Sequence, residues 1–352
     1  MKQRNHAFDL LCGICIVRMI LLHISGYCGV STHPVWVEVM HWSFYFMSFF
    51  FFKAGYFNKT IDGNSWEFCK KKFKQLMIPY YVWGAIGSII YFTFIIFFLP
   101  SNNVLVTKLS WSDLWTTSGF HGNNPCWFLF SFFVAYIAMH FIERVKRLHW
   151  IVLIFPFVSY WLYTQGNPLY LYLNNVFWGI FLFFLGRVWR IVIERLRPPK
   201  MITISLVMLA LFCVLNYIDR SEYTMSSNAW NGNFLICFPK IMLSICGLSG
   251  LLLSVHVPRI PVFNYIGQHS MVYFVSHFPM LTFYHMVRMS FVRTIRGHWD
   301  DWIILVVLIF VFCTWIVPYV ERVPWLSGRF PKKPATPKAT AATTTATNKT
   351  QQ

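Results

Sequence analysis

Charge is what this sequence has least of. Only 12% of its 352 residues are Asp, Glu, Lys or Arg, against about a quarter in an average soluble domain. Acidic residues are the scarcer sign, 12 against 30 Lys and Arg. No polar stretch between the apolar runs is long enough for a second folded domain. No internal repeat is visible either, which disfavours transporters built from inverted repeats. With 57% hydrophobic and 20% aromatic residues and a mean hydropathy of +0.51, a soluble enzyme is excluded. The net charge of +18 would suit nucleic acid, but the basic residues sit in short clusters between apolar runs. That is the pattern of cytoplasmic loops, so membrane lipid is the expected partner and nucleic acid is not.

The nine cysteines lie mostly inside apolar segments, where a thiol behaves as a small hydrophobe. Neither a disulfide framework nor a metal site is expected. The first apolar run has no small-residue cleavage site and many such runs follow it, so it reads as a span and not as a cleaved leader.

A span needs roughly 20 apolar residues. Ten stretches qualify: 8–27, 37–57, 78–99, 126–142, 149–164, 169–189, 201–218, 233–254, 262–286 and 301–320. The fold class is therefore an all-α membrane protein, a single bundle of about ten transmembrane helices. One set of loops carries Lys2, Arg4, Lys59, Lys70–Lys74, Arg144, Lys146, Arg147, the cluster from Arg187 to Lys200, Arg259 and the basic residues from Arg322 onward. The other set carries only Lys108, Arg220, Arg288, Arg293 and Arg296. The bias predicts both termini inside. The three arginines of 287–300 read as a substrate-facing patch on the outer side. The membrane domain is expected over 1–330. Residues 331–352, rich in Pro, Thr, Ala and Lys, hold too few large apolar groups to offset ordering entropy and predict a disordered cytoplasmic tail.

The first span, "FDLLCGICIVRMILLHISGY", keeps Arg18 and His23 in its interior. An ionisable residue at that depth reads as a functional site, against the plainer reading of a packed histidine and an arginine that tethers backbone carbonyls. At 100° per residue, Asp9, Cys12 and His23 fall within about 40° of one face. Cys12 and His23 are about 16 Å apart along the axis, and Arg18 points about 140° away from His23. Further on stand "MSFFFFKAGYF" with Lys53, "WEFCKKKFKQLMIPYY" with Lys70, Lys71, Lys72 and Lys74, "NPCWFLFSFF" with Trp127, and "IGQHSMVYFVSHFPM" with Ser270 and His277.

Together these stretches resemble the membrane acyltransferase 3 family, over about residues 4 to 320. Five motifs carry the resemblance, in order: Asp9 to Gly13 with His23; Phe50 to Phe57; Lys70–Lys72 with Pro79; Pro125, Trp127, Phe128 and Leu129; and Gly267, Ser270, Phe274 and His277. There is one departure. Where the family has an arginine separated from the histidine by ten intervening residues, this chain has Cys12.

The resemblance implies an O-acyltransferase of the inner (plasma) membrane. It would move an acyl group, most simply acetyl, from acetyl-CoA or another acyl-CoA to a hydroxyl of a cell-surface glycan or a lipid-linked sugar. No resident cofactor is implied. The catalytic candidates are His23, Arg18, Ser270 and His277, with His23 as general base and the others as oxyanion or orienting groups. Donor-binding candidates are Asp9, Lys53, Lys70, Lys71, Lys72 and Lys74, because ammonium groups bind the phosphates of CoA. Topology signalling is the alternative for the lysine cluster, and snorkelling to the interface for Lys53. Trp127 is the acceptor-stacking candidate, or a member of the aromatic belt. The rival function is a transporter or glycan flippase, with the buried charges marking a permeation path.

Overall fold

The computed structural model describes residues 5–58, 64–98, 111–145, 148–255, 257–291 and 299–330. The tail at 331–352, Lys108, Arg293 and Arg296 lie outside the described residues. Among the described residues, eight helical segments are long and apolar enough to cross a membrane: His6–Tyr27, Pro34–Phe57, Ser65–Phe97, Asn124–Arg144, Asn174–Arg195, Pro198–Ile218, Phe234–Ser254 and Trp299–Arg322. Two of the ten expected spans are not among them. The stretch 149–164 is part of a shorter apolar helix, Leu148–Thr164, whose first half is wound as a 3₁₀ turn ahead of Pro156. The stretch 262–286 is two helices, parted at His269.

The centre of the bundle is α1 (His6–Tyr27). Asn5 caps it, its side chain accepting from the backbone N–H of Ala7 and Phe8 at 3.0 and 3.2 Å, which satisfies two donors that a helix start leaves open. The helix is apolar on every side, as expected of a helix enclosed by others. It packs against α3 (Phe46–Phe57), which follows the short α2 (Pro34–Trp42). Next, α4 (Ser65–Lys72) passes through one π-helical turn at Phe73–Met77 into α5 (Ile78–Phe98). After α6 (Trp111–Thr117) come α7 (Trp127–Arg144), α8 (Phe155–Thr164), α9 (Asn174–Arg195) and α10 (Pro198–Ile218). A two-stranded hairpin, β1 (Glu222–Thr224) and β2 (Ala229–Asn231), leads into α11 (Phe234–Ser254). The chain then runs through α12 (Pro261–Gln268), α13 (Ser270–Phe291), α14 (Trp299–Arg322) and the four-residue α15 (Pro324–Ser327).

The contact that positions the site is α12 on α1. A Cβ on Gly267 would run into the backbone carbonyl of Asp9, and one on Gly13 into the carbonyl of Phe263. Glycine at both positions lets the two backbones touch, the usual device where small residues replace a hydrophobic drive between membrane helices. Asn264 adds a hydrogen bond, its Nδ2 donating to the carbonyl of His6 at 2.8 Å. With α12 fixed this way, α13 runs beside α1 and sets His277 beside His23. Pro279, inside α13, cannot donate to the carbonyl of Val275. Asn123 Nδ2 donates to that carbonyl instead, at 3.0 Å.

The hairpin is tied down from several sides. Lys240, fully buried in α11, donates through Nζ to the carbonyls of Asp219 and Ser221, both at 2.8 Å. The lysine that interrupts the eighth expected span thus serves as a tether for the backbone entering β1. Asn228, in the left-handed region at φ +49°, donates to the carbonyl of Ser159 at 2.9 Å. Burial holds the Tyr223 phenol well above its ordinary pKa, so it stays a neutral hydroxyl, 3.2 Å from Asn228 Oδ1. His41 Nδ1 meets Glu222 Oε1 at 2.5 Å, which joins the hairpin to α2.

Candidate active site

Two cavities meet at α13. The first, about 290 Å³, is lined among others by Ile16, Lys53, Phe128, Tyr136, Ser270 and Phe274. It lies toward the end of the bundle that carries Lys70–Lys74. The second, about 250 Å³, is lined among others by Arg18, His23, Trp127, Glu222, Ser226 and Phe274. It lies under the hairpin. The candidates therefore divide: Lys53 and Ser270 belong to the basic-end cavity, Arg18, His23 and Trp127 to the hairpin-end cavity.

His23 and His277 stand with ring centroids 5.4 Å apart and planes at 32°. His277 is completely buried. Its Nδ1 lies 2.8 Å from the carbonyl of Phe274 and 3.1 Å from that of Tyr273. Both partners only accept, so Nδ1 carries the proton. The lone pair is left on Nε2, which has no hydrogen-bond partner among the described residues. The His23 ring packs on His277 and edge-on to Phe278 at 5.2 Å. The pair joins one imidazole of fixed tautomer to a second that faces a cavity.

Arg18 reaches the same cavity as His23 although the helical projection puts them on different faces. Its long side chain closes the gap. Nε donates to Ser43 Oγ at 3.1 Å and Nη2 to the carbonyl of Met40 at 3.2 Å. The guanidinium lies 3.8 Å over the ring of Phe46, while Nη1 is buried with no hydrogen-bond partner among the described residues. The tether to backbone carbonyls is present, and one donor is left over.

Trp127 is buried as a cavity wall. It is not at a lipid-facing belt. Lys53 Nζ donates to Cys12 Sγ at 2.8 Å. Among the lysines of α4 and the π turn, Lys70, Lys71 and Lys74 are exposed. Lys72 turns inward, its ammonium 3.4 Å over the ring of Tyr136, which lines the basic-end cavity. Asp9 is buried and lines neither cavity. Arg288 is ion-paired with Asp301, so this member of the expected arginine patch is engaged within the protein.

Glu222, Thr224 and Ser226 line the hairpin-end cavity and were not among the sequence candidates. The segment "DRSEYTMSSNAWNGN" carried a usable signal, a polar stretch with Asn-Gly and two aromatics between spans. Cys12 and Cys15 are spaced as Cys-x-x-Cys, yet among the described residues no three His, Cys, Asp or Glu side chains are placed to hold a metal.

A family model described as an acyltransferase domain matches residues 5–320. The chain belongs to the acyltransferase 3 family. No curated protein and no solved structure matches it. Family and apolar helices together make this a multi-pass membrane acyltransferase, and the transporter reading is not favoured. Both cavities of this acyltransferase, and the His23–His277 pair, fall within the matched region.

Proposed function

We propose that the protein transfers an acyl group, most simply acetyl, from acyl-CoA to a hydroxyl of a cell-surface glycan or a lipid-linked sugar precursor. The observation that carries the reading is the His23–His277 pair, with His23 facing the hairpin-end cavity and Phe274, three residues before His277, lining both cavities. The basic-end cavity is the donor side, with the termini and Lys70–Lys74 facing the cytoplasm. Lys53 and Lys72 suit the amide and thioester carbonyls of the uncharged arm of acyl-CoA, and the exposed lysines suit its phosphates. The hairpin-end cavity is the acceptor side, where Trp127 offers a face for a sugar ring and Glu222 and Ser226 offer hydrogen bonds to its hydroxyls.

In this mechanism His23 takes the proton of the acceptor hydroxyl. The oxygen attacks the thioester carbonyl carbon and forms a tetrahedral oxyanion. Arg18 Nη1, the one donor of that side chain without a partner, stabilises the developing charge. The C–S bond then breaks, and the thiolate recovers the proton from the His23 imidazolium. The ring of His277, held by its own Nδ1–H and 5.4 Å from His23 between centroids, packs beside the base and so positions it. Ser270, at the head of α13, belongs to the donor side.

The deciding experiment is the mass of surface glycan from cells with and without the protein, together with transfer of labelled acetyl from acetyl-CoA by purified protein. A difference of one acyl group that disappears in His23→Ala is expected. Unchanged glycan in cells expressing the wild-type protein would remove the reading.

A further inference from the structure

Among the described residues, Phe274 is the one that lines both cavities. Its ring is buried and packs on Phe128 at 5.3 Å between centroids. Phe128 lines only the basic-end cavity, and its neighbour Trp127 only the hairpin-end one. On α1, Ile16 faces the first cavity and Met19 the second. The wall between the chambers is therefore apolar, and an apolar wall offers water no hydrogen bonds. His23 lies on the hairpin side of this wall. The carbonyl of Phe274 also holds the proton of His277 Nδ1 at 2.8 Å, so the residue's backbone sets the tautomer while its side chain fills the border.

We propose that the Phe274 side chain is a partition that keeps water in the hairpin-end chamber away from the donor's thioester until an acceptor hydroxyl is in place. The proposal rests on the acyltransferase reading above and deepens it. A thioester exposed to water hydrolyses: a water oxygen attacks the carbonyl carbon, the C–S bond breaks, the CoA thiol keeps a proton and free carboxylic acid is released. An acyltransferase must suppress that step while the reactive carbonyl is bound, and exclusion of water is the physical means. A ring in this position moves aside by side-chain rotation alone, with no change in the helix that holds His277.

The test measures CoA release from acetyl-CoA by purified protein with no acceptor, alongside acetylation of surface glycan in cells. Phe274→Ala should raise acceptor-independent hydrolysis by about tenfold and lower the share of turnovers that reach glycan. Phe274→Leu should fall between Ala and wild type, and it carries the test if the Ala variant does not fold. Phe141→Ala, exposed on α7 and lining neither cavity, should leave hydrolysis at the wild-type level. A folded Phe274→Ala or Phe274→Leu protein whose hydrolysis stays at the wild-type level overturns the partition, including when transfer is lost, since that is the mark of a structural role. A wild-type protein that transfers no acetyl to glycan defeats the function itself, a result separable from the first.

Discussion

Lys53 Nζ donates to Cys12 Sγ at 2.8 Å, with Cys12 fully buried in α1. The ammonium at the end of α3 thus stands against the position where the resemblance implies an arginine. A cation is present there, supplied from a different helix. This arrangement sets the expectation for Cys12→Arg. By itself the substitution would set a guanidinium against Lys53 in a buried site, and like charges so placed cost on the order of several kcal/mol. Cys12→Arg should give little folded protein, and Cys12→Arg with Lys53→Ser should recover it. Expression and detergent stability of the two, compared by size exclusion, decide the matter; equal yields would mean the pair does not interact. Cys12→Ala should retain most activity, with no acyl adduct seen on Cys12 by intact mass.

His23→Ala should lower transfer by about 10²–10⁴-fold, the usual contribution of a general base, with insertion and folding unchanged. His277→Ala should cost less than His23→Ala, because His277 orients and does not touch the acceptor. Near-normal glycan acylation by a well-expressed His23→Ala protein would end its catalytic assignment.

Arg18→Lys keeps a charge but loses the planar fork that serves Ser43, Met40 and the cavity together. The expected outcome is a fall in kcat with little change in the KM of either substrate. A change confined to KM would move Arg18 from the oxyanion to substrate binding.

Lys72 and the exposed lysines should separate. Lys72→Met removes the ammonium held over Tyr136 and should raise the KM for acyl-CoA several-fold, while the acceptor KM stays level. Lys70→Gln, Lys71→Gln and Lys74→Gln should each have a smaller effect that fades with salt, as screening of exposed charge requires. Equal, salt-insensitive effects at all four positions would contradict this division.

Gly267→Ala inserts a methyl group where the Asp9 carbonyl stands. The helices must part, at a cost of about 1–3 kcal/mol, and the His23–His277 register moves with them. Thermal unfolding in detergent and transfer activity should both fall, whereas Gly26→Ala, where nothing lies within 4 Å of the added atom, should change neither.

The apolar runs were readable because span length and composition are local, and most expected spans coincide with long helices to within a few residues. The two that differ have local causes whose weight is tertiary. The break at His269 falls two residues after the Gly267 contact with α1, and the shorter α8 follows a 3₁₀ turn before Pro156. His23 was legible because an imidazole in a hydrocarbon-length run stands out against its own neighbours. The inward turn of Lys72 was not, since its sequence neighbours Lys70, Lys71 and Lys74 look the same and only the π turn and Tyr136 distinguish it.

The sequence by itself determined that this is a helical membrane protein of the acyltransferase family, because hydropathy, charge bias and motif order are carried by the chain without reference to contacts. Only the tertiary structure decided that His277 is the neighbour of His23 and that Lys53 answers Cys12. It also decided that a hairpin closes one cavity and that Phe274 stands between two. Each of these joins segments far apart in the chain, and no helical period or local composition records which helix will lie against which.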